Sequence, residues 1–273
     1  SPRVLSPKTV YEQSFPPKTV LRIEKLLERA YAEAKGNDMV TRRLDYYAPA
    51  LRAFFAESKL LAEGVGIKPL NVYQVAEEPT IDGKLEEQVW KDIDPVYFVK
   101  ANKTKDEARF PTELRAVWTR SGITLGFRMT EPDMDKLKHD NGKDSRDASL
   151  MWWNDNVEIF LDPTGERRGY YQFIVNPNGA LYDSIGRENL SWDPEGVKAA
   201  GHLGKDFWST EIFVPYGAFN QVLLPATGTV WYGNFMRHRV TDRKNREYQG
   251  FNVTTGAPSH NQNAFGPIRF IER

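Results

Sequence analysis

The chain has 273 residues, 37 Lys plus Arg against 37 Asp plus Glu, 40% apolar residues and no cysteine. Zero formal charge gives no bulk electrostatic attraction to nucleic acid or to an anionic membrane, and the lack of Cys excludes disulfides, zinc–thiolate sites and a cysteine nucleophile. No apolar run approaches the roughly 18 residues of a membrane helix, and the opening Ser1-Pro2-Arg3 reads as a cut or processed end.

From Pro16 to about Gly64 the pattern is helical. Val20, Ile23, Leu27, Ala30 and Ala34 recur on one face, with Pro16-Pro17 at the entry and Gly36 at the stop. Asp38 is the expected cap of a second helix presenting Met39, Leu44, Tyr47, Leu51, Phe54 and Leu60, with a kink at Pro49. Joined through Gly36-Asn37, the two form a helical hairpin within residues 1–66, too small to hold a core alone. Gly64 to Pro69 reads as a linker.

Beyond Asn71 the period becomes two. Leu114, Ala116 and Trp118 alternate with more polar neighbours, as do Ile123 to Met129, Val157 to Leu161 and Trp208 to Val214. Tyr170 to Asn176, Val230 to Val240 and Ile268 to Ile271 are further strands. Short strands separated by Gly, Pro and Asn turns predict a mainly β chain, an antiparallel β-sandwich over 71–273.

Familiar catalytic signatures are absent: there is no nucleophile elbow, phosphate loop, HExxH or dinucleotide fingerprint. The four histidines are scattered. Glu158 and Asp162 lie on one strand face, four residues apart. At about 3.3 Å per residue they are roughly 13 Å apart, beyond the roughly 5–9.5 Å of a glycosidase pair. Glu158 with Glu211 from another strand stays open as a hydrolytic alternative. Met129 with His238 is a conceivable haem pair. The acidic stretch from Glu131 to Asp155 offers oxygen ligands to calcium, although EF-hand spacing is absent.

The strongest aromatic and polar cluster is Trp152-Trp153-Asn154-Asp155-Asn156-Val157-Glu158. Adjacent tryptophans cannot both enter one core. Flat rings stack on the C–H faces of sugars, while Glu and Arg take hydroxyls in paired hydrogen bonds. Trp152 is therefore the candidate platform, Glu158 and Arg237 the hydroxyl binders, and Trp153 and Trp192 further rings, with Tyr170 and Tyr171 near them.

Several of these segments, in order, resemble carbohydrate-binding module family 9. They are Thr80-Ile81-Asp82-Gly83 through Trp90, Ala116-Val117-Trp118 with Ile123 to Phe127, and Trp152 through Asp162. Tyr170 through Asn176, Trp208 through Pro215, Gly233-Asn234-Phe235 and Phe265-Gly266-Pro267-Ile268-Arg269-Phe270 continue the series. The resemblance implies a calcium-containing β-sandwich that binds sugar chains between aromatic rings without cleaving them. It maps a stacking Trp onto Trp152 and a hydroxyl-binding Glu onto Glu158, and sets Arg237 where the family carries a Gln. Gln172 and Asn176 complete the implied sugar-binding set. Glu131, with Asp133 and Asp155, is the implied metal set. Two departures stand out: Ile174 replaces the family's binding Arg, and Ser259-His260-Asn261-Gln262-Asn263 lacks the second stacking Trp.

More weakly, the helices resemble the closing segment of large bacterial polysaccharide-degrading proteins with an upstream glycosidase-like barrel. Together these readings imply non-catalytic binding of a polysaccharide or oligosaccharide, in an extracellular or periplasmic setting. They imply an upstream hydrolase domain, no nucleic-acid partner and no membrane span. A glycoside hydrolase domain and a structural spacer that has lost sugar binding are the alternatives.

Overall fold

The computed structural model describes residues 17–62, 67–102, 106–143, 145–147, 151–165, 169–187, 189–220, 224–241, 246–253 and 259–273. The chain divides into two compact units, Ser1–Ile67 and Lys68–Arg273. The expected chain start and part of the expected linker lie outside the described residues.

The first unit pairs α1 (Pro17–Glu33) with α2 (Asp38–Ala62). On α1 the expected stripe holds: Val20 and Ala34 are buried, and Ile23, Leu27 and Ala30 partly so. Gly36 ends the turn with φ 87°, a conformation that costs a Cβ-bearing residue energy. The cap of α2 is Asn37 rather than Asp38: its Oδ1 accepts from the Val40 amide at 3.2 Å. Asp38 instead stands in the first turn, where its charge favours the helix dipole. On α2 the inward stripe runs through Leu44, Ala48, Leu51 and Phe55, whereas Met39 and Tyr47 face solvent. Pro49 lies within the continuous helix, and the Leu60 side chain lies outside the described residues.

The second unit is the β-sandwich. Its strands are β1 (Leu70–Gln74), β2 (Val96–Tyr97), β3 (Val99–Lys100), β4 (Thr112–Trp118), β5 (Gly122–Thr130), β6 (Asn156–Asp162) and β7 (Tyr171–Val175). They continue as β8 (Leu181–Ile185), β9 (Lys198–Leu203), β10 (Phe207–Pro215), β11 (Val230–Arg239), β12 (Glu247–Gly250) and β13 (Gly266–Ile271), with a one-turn α3 (Gln88–Lys91). The strand order is β8-β7-β6-β11-β13-β1-β4-β5-β10-β9, and β12 joins β11 to β3. Pairing is antiparallel except around β1, which runs parallel to both β13 and β4.

The alternation of side chains fixes the layers. Val157, Ile159 and Leu161 of β6, Phe173 and Val175 of β7, and Trp231 and Phe235 of β11 face inward. They pack with Leu114 and Ala116 of β4, Leu125, Phe127 and Met129 of β5, and Trp208 and Ile212 of β10. Phe127 meets Phe235 across the middle, with centroids 6.2 Å apart. Met129 is part of this core, whereas His238 lies on the outer face of β11, so the two do not form a ligand pair.

The Ile81-Asp82-Gly83 segment is a clasp. The amides of Asp82 and Gly83 and the Trp90 indole all donate to the buried Glu211 carboxylate of β10, at 2.9, 2.7 and 2.8 Å. Gly83 has φ 84° and passes so close to Gly201 that a Cβ would lie 2.6 Å from its carbonyl carbon.

Candidate functional site

The outer face of β8-β7-β6-β11-β12 carries the site. Register sets Tyr182, Ile174, Glu158 and Met236 in one row, and Asn156, His238 and Tyr248 in the next. Gln172 lies on the same face, opposite Phe160 and Ser184.

The turn before β6 presents both tryptophans, 45% and 51% exposed. The Trp152 ring meets Tyr182 edge-on at 6.3 Å, and the Arg246 guanidinium lies 5.6 Å from the centroid of the Trp153 ring. The Asn-Asp-Asn run after them explains their placement. Asn156 donates to the carbonyls of Met151 and Asn154, at 3.3 and 2.9 Å. Asn176 donates to the Asn141 carbonyl at 2.8 Å and accepts from the amides of Asn178 and Ala180. Asn176 is thus fully buried and orders the loop under the tryptophans.

Glu158 forms the floor. It is 4% exposed, its Oε1 stands 3.4 Å from His238 Nδ1, and its Oε2 is buried without a hydrogen-bond partner. His238 stacks edge-on against Tyr248 at 4.7 Å.

Arg237 departs from the expectation. It pairs with Val157, one position along from Glu158, so its side chain enters the sandwich. There its guanidinium donates to the carbonyls of Phe110 and Thr130, at 2.9 and 3.0 Å, and reaches Glu131 at 3.4 Å. Burial pulls its pKa down to about 10, against the opposing charge of Glu131. Trp192 also packs from the inner side, on Tyr171 and Phe173, at 4.9 and 5.6 Å, and does not join the platform. Tyr171 is a core residue, whereas Tyr170 faces outward.

Where the second stacking ring is expected, His260 folds against Phe160 at 5.2 Å and accepts or donates at 2.7 Å to the Tyr170 hydroxyl. Burial, followed by the charges of Arg187 and His238, holds its pKa down at about 4.

In the implied metal set, Glu131 and Asp133 pair with arginine, and Asp155 is held by amides and a hydroxyl. Arg239 donates to both Glu131 oxygens at 2.7 Å and to Asp133 at 3.1 Å. Burial lowers the Arg239 pKa, but the hydrogen bonds and charge of Glu131 outweigh it and hold the value above the ordinary one. Asp155 accepts from the Val240 amide, the Thr241 hydroxyl and the Lys138 amide, at 3.1, 2.8 and 3.0 Å. Glu131, Asp133 and Asp155 thus already have protein partners for most of their oxygens. Elsewhere Asp147, Asp183 and Asp193 bring ligand atoms within 4.8 Å of one another, and Asp183 Oδ1 is buried without a partner. Arg146 pairs with Asp183 at 2.7 Å in the same group.

The sandwich defines the class: it has the fold of the family 9 carbohydrate-binding modules. Residues 81–186 match the family model described as carbohydrate family 9 binding domain-like. A family 9 module of Caldicellulosiruptor kristjanssonii in complex with cellotriose superposes with TM-score 0.57 at 18% identity, covering 76% of this chain and 95% of that one. The same organism's family 9 module in complex with glucose gives TM-score 0.55 at 17% identity, covering 76% and 97%. A Bacteroides uniformis protein, itself a candidate carbohydrate binder, gives 0.60 at 21% identity, covering 74% and 99%. No curated protein sequence matches significantly. Among the described residues, no helix is long and apolar enough to cross a membrane.

Proposed function

We propose that the β-unit binds a carbohydrate chain on the outer face of β6, β7 and β11 and does not cleave it. One observation carries this reading: the exposed Trp152 ring overlooks the strand face whose floor, Glu158, holds an acceptor oxygen without a partner. A buried acceptor left unpaired costs about 1–3 kcal/mol, which a ligand hydroxyl would offset. Trp152 supplies the stacking face and Trp153 a second, outer ring, with His238, Tyr248 and Gln172 around the floor. Because Glu158 lies low, binding includes a shift of side chains at the rim. The structural neighbours with cellotriose and glucose support a sugar chain as the ligand class.

Hydrolysis is not favoured. Glu211 is enclosed by Asp82, Gly83 and Trp90 on the other half of the sandwich. Asp162 Oδ1 accepts from the amides of Thr164 and Gly165 in its own turn. The spacer reading keeps one specific support, the 4% exposure of Glu158.

The setting we propose is an exported polysaccharide-degrading protein with its hydrolase domain upstream. A structural calcium ion belongs to this proposal at Asp183 with Asp147 and Asp193, supported by the unpartnered Asp183 oxygen, and it would have to displace Arg146 from Asp183 and Asp193. A melting temperature unmoved by chelator and by added calcium ends the calcium part.

Calorimetric titration with cellotriose and a panel of neutral oligosaccharides tests the binding. Trp152→Ala is expected to weaken affinity about tenfold, since an aromatic stacking face is worth about 1–1.5 kcal/mol. Binding of no oligosaccharide, neutral or charged, would leave the spacer reading in its place, and equal binding by Trp152→Ala and Glu158→Gln would overturn this face as the site.

A further inference from the structure

Beside the Trp152–Glu158 face lies a second concavity, a cavity of about 450 Å³ lined by Lys100, Asn102, Arg109, Arg246, Glu247 and Tyr248. That volume falls within the roughly 300–1,000 Å³ of small-ligand clefts. It exists because β3 pairs with β12, setting Lys100 opposite Gln249. Gln249 points inward and is held by Thr112, Phe110 and Glu247. Tyr248, its neighbour, points outward by alternation and is 42% exposed.

The charge of this cavity is one-sided. Among the described residues, three cations line it against one carboxylate, Glu247. Glu247 is already engaged: Oε1 accepts from Gln249 at 2.7 Å, and Oε2 accepts from the Arg109 amide at 3.3 Å with Lys100 Nζ at 3.9 Å. The guanidinium groups of Arg109 and Arg246 lie 5.0 and 5.6 Å from the ring centroids of Phe110 and Trp153, respectively. Among the described residues neither has a carboxylate within ion-pair distance. Guanidinium forks flanking a cleft match planar, anionic groups, which they bind in pairs of charge-assisted hydrogen bonds.

The cavity also adjoins the sugar face through two of its lining residues. Tyr248 lines it and stacks on His238, which stands beside Glu158. Arg246 lines it and touches Trp153. A chain lying on Trp152 and Glu158 would therefore meet the cavity at Tyr248 and Arg246.

We propose that this cavity is an anionic subsite, and that the glycan recognised carries a charged substituent, the carboxylate of a uronic acid or a sulfate ester. The proposal rests on the sugar-binding reading above and names the substrate class of that site.

Calorimetry on the full chain would compare oligogalacturonate, its methyl-esterified counterpart, a sulfated galactan oligosaccharide and cellotriose. The ester keeps the skeleton and removes the charge, and the sulfated arm separates sulfate from carboxylate. At least one anionic ligand is expected to bind about tenfold tighter than the neutral ones. That gap should close between about 0.05 M and about 0.5 M salt. It should also close in the Lys100→Gln/Arg109→Gln double variant, with cellotriose affinity and melting temperature unchanged. Equal affinity for charged and neutral ligands overturns the anionic subsite and leaves sugar binding standing. A gap that survives in the double variant places the charge recognition elsewhere and also overturns it. Failure of every oligosaccharide to bind defeats both this proposal and the sugar-binding reading.

Discussion

Glu158 and Arg237 sit on neighbouring strands, yet they point to opposite sides of the sheet. Glu158 is in register with Met236, and Arg237 with Val157. A one-residue difference in parity separates the outer face from the sandwich interior. It turns a group expected to hold sugar hydroxyls into one that binds the Phe110 and Thr130 carbonyls.

Arg237→Gln should therefore act on stability. The substitution removes four hydrogen bonds of a fully buried guanidinium and withdraws one cation from Glu131. Breaking buried charge pairs of this kind costs about 3–5 kcal/mol; with Arg239 still on Glu131, the lower end is expected. Urea unfolding gives the number. A variant as stable as the parent but deficient in sugar binding would return Arg237 to the site.

Glu158→Gln should show the opposite split. Its Oε2 is buried without a hydrogen-bond partner, and an unpaired buried acceptor is costly. An amide of the same shape lowers that cost. The variant is expected to melt no lower than the parent, and to gain about 1 kcal/mol, while binding sugar more weakly. A marked loss of stability would show that the carboxylate serves the fold.

Much of the architecture was legible because the period-two pattern is strong where strands are buried on one side. Val157-Ile159-Leu161, Ile123 to Met129 and Trp208 to Val214 all face the core as their alternation requires. β9 was not legible: Lys198-Ala199-Ala200-Gly201-His202-Leu203 lacks the β-branched residues that mark strands, and it lies at the sheet edge. The Trp152–Trp153 turn and Glu158 stood out by residue type. His238, Tyr248, Tyr182 and Arg246 did not, because only cross-strand register brings them to that face. The parity of Glu158 carried across β6 and β11 would have selected Met236 and His238 over Arg237. The partners of the expected metal set were hidden for a similar reason. Acidic residues are visible in sequence, but the distant Arg239 that neutralises Glu131 is not.

Glu131→Gln should expose that internal pairing. Glu131 is fully buried and accepts from Arg239 twice, with Arg237 and Thr241 close by at 3.4 and 3.3 Å. The amide cannot balance two guanidinium groups, so a loss of about 3–5 kcal/mol is expected. Added calcium should restore none of it, because the arginines occupy the place of a cation. Thermal melts of parent and variant, with chelator and with calcium, check both points. Rescue by calcium would mean that Glu131 does hold the ion.

His260 gives the site a pH dependence whose sign follows from its surroundings. Burial comes first, then the charges of Arg187 and His238, and together they depress its pKa to about 4 from the ordinary 6.5. Between these values the unfolded chain takes up a proton that the folded chain refuses. The contribution is complete above about pH 6.5 and declines as pH falls toward about 4, by about 2–3 kcal/mol in all. Its aromatic neighbours Phe160 and Tyr170 carry no charge that would reverse this order. His260→Phe removes the titrating group and keeps a flat ring against Phe160, at the cost of the Tyr170 hydrogen bond. The variant should start lower at pH 7 and lose less stability than the parent as pH falls to about 4. Unfolding curves collected across that range measure the two slopes, and parallel slopes would mean that His260 is already solvated in the native state.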